Sequence, residues 1–292
     1  MKFSQIFWRE PNRANTPPLH IASGGKRFST LTGVCWIDQF RFVVSHRSGL
    51  RIALFDTRDL SDYLAITTCG HLTDDIAAKK LDKNLWEIVV SGCWDNISSI
   101  YRLTIEPEIK FELITTNSHT ERTYCHGVSF TNDGTLCLAF HTGEIPRIVI
   151  GNKAWLLPSP WGARNICHDK SADKYYVVAV SANPQLSAYK KTSTTIWMYD
   201  IKSDVWKIIM TLPNVHADAC QVFEDRIWLP DQNGDQVLGL CLSKKRPVIA
   251  IKGRCFDFPH GLGISNFGIL AVTNYGDSSI TLIDINSKSI NV

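Results

Sequence analysis

A repeating arrangement of apolar and polar positions near the end of the chain is the clearest signal in the sequence. Residues 258–285 read FPHGLGISNFGILAVTNYGDSSITLIDI, in which short apolar and β-branched runs alternate with clusters of Gly, Asn and Asp. Such runs predict β-strands, and the clusters between them predict tight turns. We therefore predict three strands here, at residues 261–264, 269–273 and 280–285.

The same unit recurs along the chain. The best copy is residues 125–150, CHGVSFTNDGTLCLAFHTGEIPRIVI, in which His126 and Gly127 align with His260 and Gly261. Four weaker copies complete the set, at spacings of about 40 to 50 residues, the period of a four-stranded propeller blade. The repeat therefore predicts a β-propeller with six blades.

The last unit has too little chain after Ile285 to supply its own fourth strand. The N-terminal run Phe3–Trp8, FSQIFW, is strand-like and has no other partner. Pairing it with the last blade would cover an open sheet edge. We therefore predict an all-β fold in which residues 1–292 form one six-bladed β-propeller of four-stranded antiparallel blades, closed by the N-terminal strand. Residues 70–83, GHLTDDIAAKKLDK, depart from the pattern, because the end of this segment has helical propensity.

Two segments carry family resemblances. Residues 270–285, LAVTNYGDSSITLIDI, resemble the Tyr-Val-Thr-Asn propeller repeat, and the whole unit 258–285 resembles repeats of NHL-like and streptogramin-lyase-like six-bladed propellers. The tripeptide Pro259-His260-Gly261 is similar to one in the last blade of those lyases. That resemblance implies a catalytic acid or base at His260, although the glutamate-rich metal-binding loops of that family have no counterpart in this sequence.

The composition of the chain limits the kinds of partner and the cellular location that we expect. The formal net charge is +3, and the longest basic run is Lys244-Lys245-Arg246, so we expect no nucleic-acid partner. No apolar run is long enough for a signal peptide or a bilayer span, so we expect no membrane association. The nine cysteines are scattered and include no CxxC pair, a usage typical of buried free thiols in a reducing compartment. These observations predict a cytoplasmic protein.

Histidines recur at equivalent positions of the predicted blades. The start of each inner strand and the end of each second strand lie on the same face of a propeller, because the two strands are antiparallel neighbours. Seven of the nine histidines are assigned to this face. They are His46, His71, His126, His141, His168, His216 and His260, of which His168 aligns least well. His126 and His260 belong to blades three apart and would face each other across the central channel.

Convergent neutral imidazoles are common ligands of transition metals. The sequence therefore predicts a divalent metal ion, zinc or iron rather than calcium, bound by three or four of His71, His126, His216 and His260 at the axial mouth of the ring. His260, His141 and Glu144 are the predicted catalytic residues. Asp95, Asp231 and Asp277 lie on the same predicted face and could orient ligands or act as a base.

The leading hypothesis is an enzyme that acts on a small organic molecule by lyase or hydrolytic chemistry. Two alternatives remain open at this point. The histidines could cap strands and hydrogen-bond around water in the channel, or form a catalytic site without metal. The chain could also be a non-catalytic propeller that presents one face to a protein partner.

Overall fold

The structure is a computed structural model that describes residues 3–7, 30–92, 96–119, 123–143, 147–169, 171–181 and 192–286. Every regular element in these ranges is a β-strand, and the strands form six four-stranded antiparallel sheets. The fold is thus the predicted six-bladed β-propeller. The described residues include no helix that is long and apolar enough to cross a membrane.

Each blade is described from its inner strand outwards. Blade 1 has β2 (Leu31–Trp36), β3 (Arg41–His46), β4 (Arg51–Asp56) and β5 (Ala65–Thr68). Blade 2 has β6 (Asp75–Asp82), β7 (Leu85–Gly92), β8 (Ile97–Thr104) and β9 (Lys110–Ser118). Blade 3 has β10 (Thr123–Phe130), β11 (Leu136–Gly143), β12 (Arg147–Ile150) and β13 (Lys153–Leu156).

The second half of the ring repeats this order. Blade 4 has β14 (Trp161–Asp169), β15 (Lys174–Ser181), β16 (Ser193–Asp200) and β17 (Val205–Pro213). Blade 5 has β18 (Gln221–Phe223), β19 (Arg226–Asp231), β20 (Gln236–Cys241) and β21 (Arg246–Lys252). Blade 6 has β22 (Pro259–Ile264), β23 (Ile269–Asn274), β24 (Ser279–Asp284) and, on its outside, β1 (Phe3–Phe7).

The N-terminal strand closes the ring as predicted. β1 pairs antiparallel with β24, in a register that runs from Phe3 opposite Ile283 to Phe7 opposite Ser279. The first and last strands of the described chain therefore belong to one sheet. This pairing supplies blade 6 with its fourth strand and covers the outer edge of β24.

The core lies between neighbouring blades, where the middle strands are packed on both faces. β3 and β4 are buried along almost their whole length. Val43 and Ile52 of blade 1 join Ile88 and Val90 of blade 2 in one apolar cluster. Strands covered on both faces become nearly continuous apolar runs, as in the repeated units of the sequence. The eight cysteines in the described chain are free thiols, and Cys125 lies in such a cluster.

Residues 70–83 differ from the expectation of a helical end. Asp75–Asp82 form the inner strand β6, which pairs with β7 in a register that sets Ile76 opposite Val90. Ile76 and Ala77 are buried against neighbouring blades. The intrinsic preference of this segment for helix is weak compared with the burial and pairing that the ring provides.

A layer of hydrogen bonds crosses the ring just below the histidine-bearing mouth. Asp75 Oδ2 accepts hydrogen bonds from Val128 N, at 3.0 Å, and from Asn165 Nδ2, at 2.6 Å. Asn165 Oδ1 in turn accepts one from Cys220 N at 3.4 Å. Blades 2, 3, 4 and 5 are thereby linked across the axis. Burial raises the pKa of Asp75 to about 7, although Val128 and Asn165 stabilise its charged form.

Candidate metal centre

Three histidines surround one aspartate at the mouth of the ring where the inner strands begin. His126 lies in β10, His260 lies in β22, and His216 and Asp218 lie in the segment between β17 and β18. The Nε2 atoms of His126 and His216 lie 3.8 and 3.3 Å from Asp218 Oδ1. His260 Nε2 lies 3.3 Å from Asp218 Oδ2. All four residues are buried, so they form a compact site of three imidazoles around one carboxylate.

Local irregularities in the inner strands accompany this convergence. The register shifts in β10 between Cys125 and Gly127, and in β22 between Pro259 and Leu262. β-Bulges of this kind re-aim side chains at the ends of strands. His126 is further fixed by a contact of 2.9 Å between its Nδ1 and the Arg164 carbonyl oxygen, which leaves Nε2 as the ring nitrogen turned towards Asp218.

His216 is held from blade 5 and from the start of blade 4's third strand. Its backbone N–H donates to Asp231 Oδ1 at 3.3 Å, and its carbonyl accepts from Gln232 N at 3.0 Å. Its Nδ1 lies 3.2 Å from Thr192 Oγ1. Asp231 thus supports the backbone of His216.

Four aromatic rings stack in a row beside Asp218. The ring centroid of His126 lies 5.4 Å from that of His141 and 5.7 Å from that of His260, with near-parallel planes. His260 stacks in turn on Tyr275, at 5.3 Å. The rings restrict one another's rotation, so the positions of the ring nitrogens are set by packing as well as by hydrogen bonds.

Burial and the neighbouring charges set the protonation of the site. Burial lowers the pKa of His126 and of His141 well below the usual value and lowers that of His260 to about 4; the charge of Asp218 opposes the shift in each case. Burial alone would raise the pKa of Asp218, but Arg164 and His216 hold it well below its usual range. At neutral pH, His126, His141 and His260 are therefore neutral and Asp218 is ionised.

Three of these residues could share a metal ion. One ligand atom each from His126, Asp218 and His260 lie within 4.8 Å of one another. Gln232 Nε2 donates to Asp218 Oδ2, whereas Asp218 Oδ1 makes no well-formed hydrogen bond with a described residue. Neutral imidazole and ionised carboxylate are the forms that bind metals, and two histidines with a carboxylate suit zinc or iron better than calcium.

The other predicted site residues lie in several places. His71 Nε2 hydrogen-bonds Ser99 Oγ at 2.9 Å, and His71 is outside the group of possible ligands. His141 stacks on His126, and its buried Nδ1 has no hydrogen-bond partner among the described residues. Asp277 Oδ1 accepts the backbone N–H of Ser279, a local turn contact. Glu144 and Asp95 lie outside the described residues.

The assignment of His168 to the same face as the others is wrong. His168 lies near the end of β14, and it lines a cavity with the ends of the other inner strands. Its position follows from the pairing of His168 with Tyr175, next to the β14–β15 turn. That turn lies at the opposite mouth of the ring from His126 and His260.

Sequence reasoning missed the two charged residues of the centre. Asp218 lies two positions after His216, in a segment that bends at Asp218, and its Oδ1 lies 3.3 Å from His216 Nε2. This nearness in sequence to a predicted ligand was the available signal. Arg164, whose Nε lies 3.4 Å from Asp218 Oδ1, has no comparable signal, because only the packing of β14 against β10 brings it to the mouth.

Comparisons with known proteins agree with the fold. No family model and no curated protein matches the sequence. A luciferin-regenerating enzyme has a similar structure, with a TM-score of 0.63, 11% identity, and coverage of 88% of this chain and 92% of the other. Virginiamycin B lyase from Staphylococcus aureus is similar with a TM-score of 0.57 and 11% identity, over 96% of this chain and 98% of the lyase. The PQQ-bound aldose sugar dehydrogenase from Streptomyces coelicolor has a TM-score of 0.59 and 10% identity, over 96% of this chain and 97% of the dehydrogenase. At such identities the likeness establishes the propeller fold alone.

Proposed function

We propose that the chain is a cytoplasmic metal-dependent enzyme that acts on a small organic molecule by lyase or hydrolytic chemistry at the axial mouth. His126, His260 and Asp218 would bind a divalent metal ion, zinc or iron. The observation that carries the proposal is that ligand atoms of these three buried residues lie within 4.8 Å of one another. A buried carboxylate surrounded by imidazole nitrogens is costly to build for stability alone, because each of these polar groups gives up its hydration.

Bound at these ligands, a metal ion would supply Lewis acidity towards a carbonyl or phosphoryl oxygen, or towards water. We propose that His141 moves a proton in the reaction, because it stacks on His126 and its Nδ1 is free of hydrogen bonds to the described residues. His216 touches the same oxygen of Asp218 as His126 does, and would fix the orientation of that carboxylate.

With a divalent metal ion bound, the charges at the mouth would favour an anionic substrate, because Asp218 and Asp74 only balance Arg164 and Arg47. The Arg164 guanidinium borders Asp218 and its side chain is 19% exposed, so one of its faces is accessible. Arg47 lies close enough to lower the pKa of His260, and it forms a buried ion pair with Asp74 at 3.1 Å. We therefore propose a substrate with a carboxylate or phosphate group, which Arg164 would hold by a charge-assisted hydrogen bond.

Metal content and affinity test this proposal. The purified full-length protein is analysed by plasma mass spectrometry, and metal-stripped protein is titrated with Zn²⁺, Fe²⁺ under anaerobic conditions, and Ca²⁺. We expect about one equivalent of zinc or iron to bind, and weaker binding of calcium. His126→Ala and Asp218→Asn should each weaken metal binding by about 100-fold or more, since each removes a ligand.

His168→Gln is the matched control, because it changes a buried histidine at the opposite mouth and should leave metal affinity unchanged. Metal-loaded and metal-stripped proteins are then compared on a panel of carboxylate-bearing esters and lactones and of phosphoesters, with Arg164→Lys and Arg164→Met as specificity variants. The proposed metal site, and the enzyme activity that depends on it, would be refuted if the protein bound none of the three metals, or if His126→Ala and Asp218→Asn left metal affinity unchanged.

A further inference from the structure

Two buried cysteines from neighbouring blades touch each other near the ring axis. Cys167 lies in β14, the inner strand of blade 4, and Cys220 lies directly before β18, the inner strand of blade 5. Their Sγ atoms are 3.5 Å apart, and both residues belong to the apolar cluster between these two blades. Both are free thiols, and the chemistry proposed for the metal centre uses neither of them. We call them the cysteine pair.

The two sulfur atoms are within reach of a covalent bond. An S–S bond is about 2.05 Å long, so the sulfur atoms need to approach each other by about 1.5 Å. β14 and β18 pack directly against each other, so rotation of the two side chains can supply this movement. The contacts of Cys220 Sγ with Asn165 Oδ1, at 3.6 Å, and with the Tyr176 carbonyl oxygen, at 3.9 Å, are long and weak. Little hydrogen-bond energy therefore opposes the rotation.

A cavity on the ring axis gives an oxidant access to one member of the pair. The cavity lies at the mouth opposite the candidate metal centre, has a volume of about 460 Å³, and is lined by residues of all six inner strands, including Cys167. Its wall also includes Asn132, Ser171 and Asn266, which are exposed turn residues, so the cavity opens to solvent. Cys220 is outside the described cavity wall. A dissolved oxidant would therefore meet Cys167 first.

The surroundings of Cys167 make its oxidation slow. The hydrogen bond with Cys220 and burial raise the pKa of Cys167 well above its usual value. The thiolate is the reactive form of cysteine, so a thiol with a raised pKa reacts slowly. In a reducing compartment the cysteine pair therefore stays reduced, and its conversion needs sustained exposure to an oxidant.

We propose that the cysteine pair is a site of reversible oxidation, at which a hydroperoxide converts the two thiols into a disulfide. Cys167 Sγ attacks the hydroperoxide; an S–O bond forms while the O–O bond breaks, and the thiol proton leaves with the alcohol or water that is released. Cys220 Sγ then attacks Cys167 Sγ; the S–S bond forms, the S–O bond breaks, and the hydroxyl group takes the proton of Cys220 and leaves as water. The two thiols together lose two electrons, which the hydroperoxide gains.

The disulfide would join blade 4 to blade 5. It would close a loop of about 50 residues and reduce the conformational freedom of the unfolded chain, which stabilises the folded ring. A dithiol reductant would restore both thiols by exchange. The site lies outside the candidate metal ligands and does not depend on the function proposed for them.

Peptide mapping of the full-length protein tests the proposal directly. Reduced, folded protein is exposed to hydrogen peroxide for increasing times, blocked with iodoacetamide, and digested without reduction for mass spectrometry. We expect a linked pair of peptides that contain Cys167 and Cys220 to accumulate slowly, and dithiothreitol to remove the link. The melting temperature of the linked protein should exceed that of the reduced protein by about 5 °C or more, because the loop that closes is long.

Three variants localise the reaction. In Cys220→Ala, dimedone should label Cys167 as a sulfenic acid, because the cavity exposes Cys167 and the second thiol of the pair is absent. In Cys167→Ala, dimedone should leave Cys220 unlabelled, since Cys220 is outside the described cavity wall. Cys35→Ala is the matched control, because Cys35 lines the same cavity, and it should leave the link between Cys167 and Cys220 unchanged.

The proposal does not depend on the folding of these variants, because the peptide map of the wild type decides whether the link forms. It is overturned if the folded wild type forms no link between Cys167 and Cys220, or if the linked protein melts no higher than the reduced one. It is also overturned if Cys35→Ala prevents the link, or if dimedone labels Cys220 rather than Cys167.

Discussion

Asp75 makes folding stability depend on pH in a direction that is unusual for a carboxylate. Burial raises its pKa from an ordinary value of 3.8 to about 7 in the folded protein. The folded state therefore holds a proton that the unfolded state releases between these two pH values. The stabilisation is fully present below about pH 3.8 and is lost as pH rises towards about 7. A carboxylate with a lowered pKa would behave in the opposite way.

The size of the effect follows from the pKa difference. A difference of about 3 pH units corresponds to about 4 kcal/mol over the whole range, at about 1.4 kcal/mol per unit. Asp75→Asn removes the titration and keeps an oxygen to accept the hydrogen bonds from Val128 and Asn165. Between pH 5 and pH 8, the free energy of unfolding of the variant should rise by about 3 kcal/mol relative to the wild type.

Urea unfolding of wild type and Asp75→Asn at pH 5, 6, 7 and 8 measures this difference in the free energy of unfolding. The contributions of all other titrating groups are the same in both proteins and cancel in the difference. Asp133→Asn is the matched control, since Asp133 is an aspartate in a surface turn that hydrogen bonds give a lowered pKa. A difference between wild type and Asp75→Asn that stays constant across the range, or that changes in the opposite sense, would refute the assignment of a raised pKa to Asp75.

Three further predictions concern packing and closure. Gly162→Ala should lower the free energy of unfolding in urea by about 3 kcal/mol or more, because the new Cβ would lie 1.8 Å from a backbone oxygen of β11. In the control Gly253→Ala the nearest atom to the new Cβ would be 3.3 Å away, so the change should stay within about 0.5 kcal/mol. Equal losses in the two variants would contradict the close approach of the strands. Deletion of residues 1–7 should lower the free energy of unfolding by about 3 kcal/mol or more, through the lost pairing with β24, and an unchanged melting temperature would count against closure by β1. Arg47→Met should cost about 3 to 5 kcal/mol, because it removes the charge that faces the buried Asp74 carboxylate. Arg102→Met, which breaks an ion pair with Glu112 that is exposed on both sides, should cost less than about 1 kcal/mol; a similar loss for both would refute this difference.

The fold was predictable because one sequence unit recurs in each blade. The turn residues and apolar runs of 258–285 recur in each blade, and the N-terminal strand was the remaining piece that could complete blade 6. Residues 75–82 were harder to interpret, because DIAAKKLD has a local preference for helix that only pairing with β7 overrides. Local pattern therefore predicts the blades, and fails where burial in the ring opposes it.

The candidate site was predictable only in part, since it is assembled from several blades. The alignment of repeats placed His126 and His260 at equivalent positions, and the structure brings their rings to 5.7 Å. Asp218 and Arg164 are not histidines, so a search for histidines that recur in the repeat gives no reason to select them. His168 was assigned to the wrong mouth because a short error in alignment along a strand moves a residue from one end of the channel towards the other.

The pairing of β1 with β24 also has a consequence for biosynthesis. Phe3 leaves the ribosome before all of the strands β2 to β24, and its partner Ile283 lies in the last of them. β1 can therefore pair only after β24 has been made, whereas blades 1 to 5 can each form from contiguous chain as they emerge. Closure of the ring is therefore a late step between distant segments, and the entropy cost of bringing these segments together falls at the end of folding. A circular permutant that joins the two ends and starts at residue 30 would make all six blades from contiguous chain, and should fold faster than the natural order.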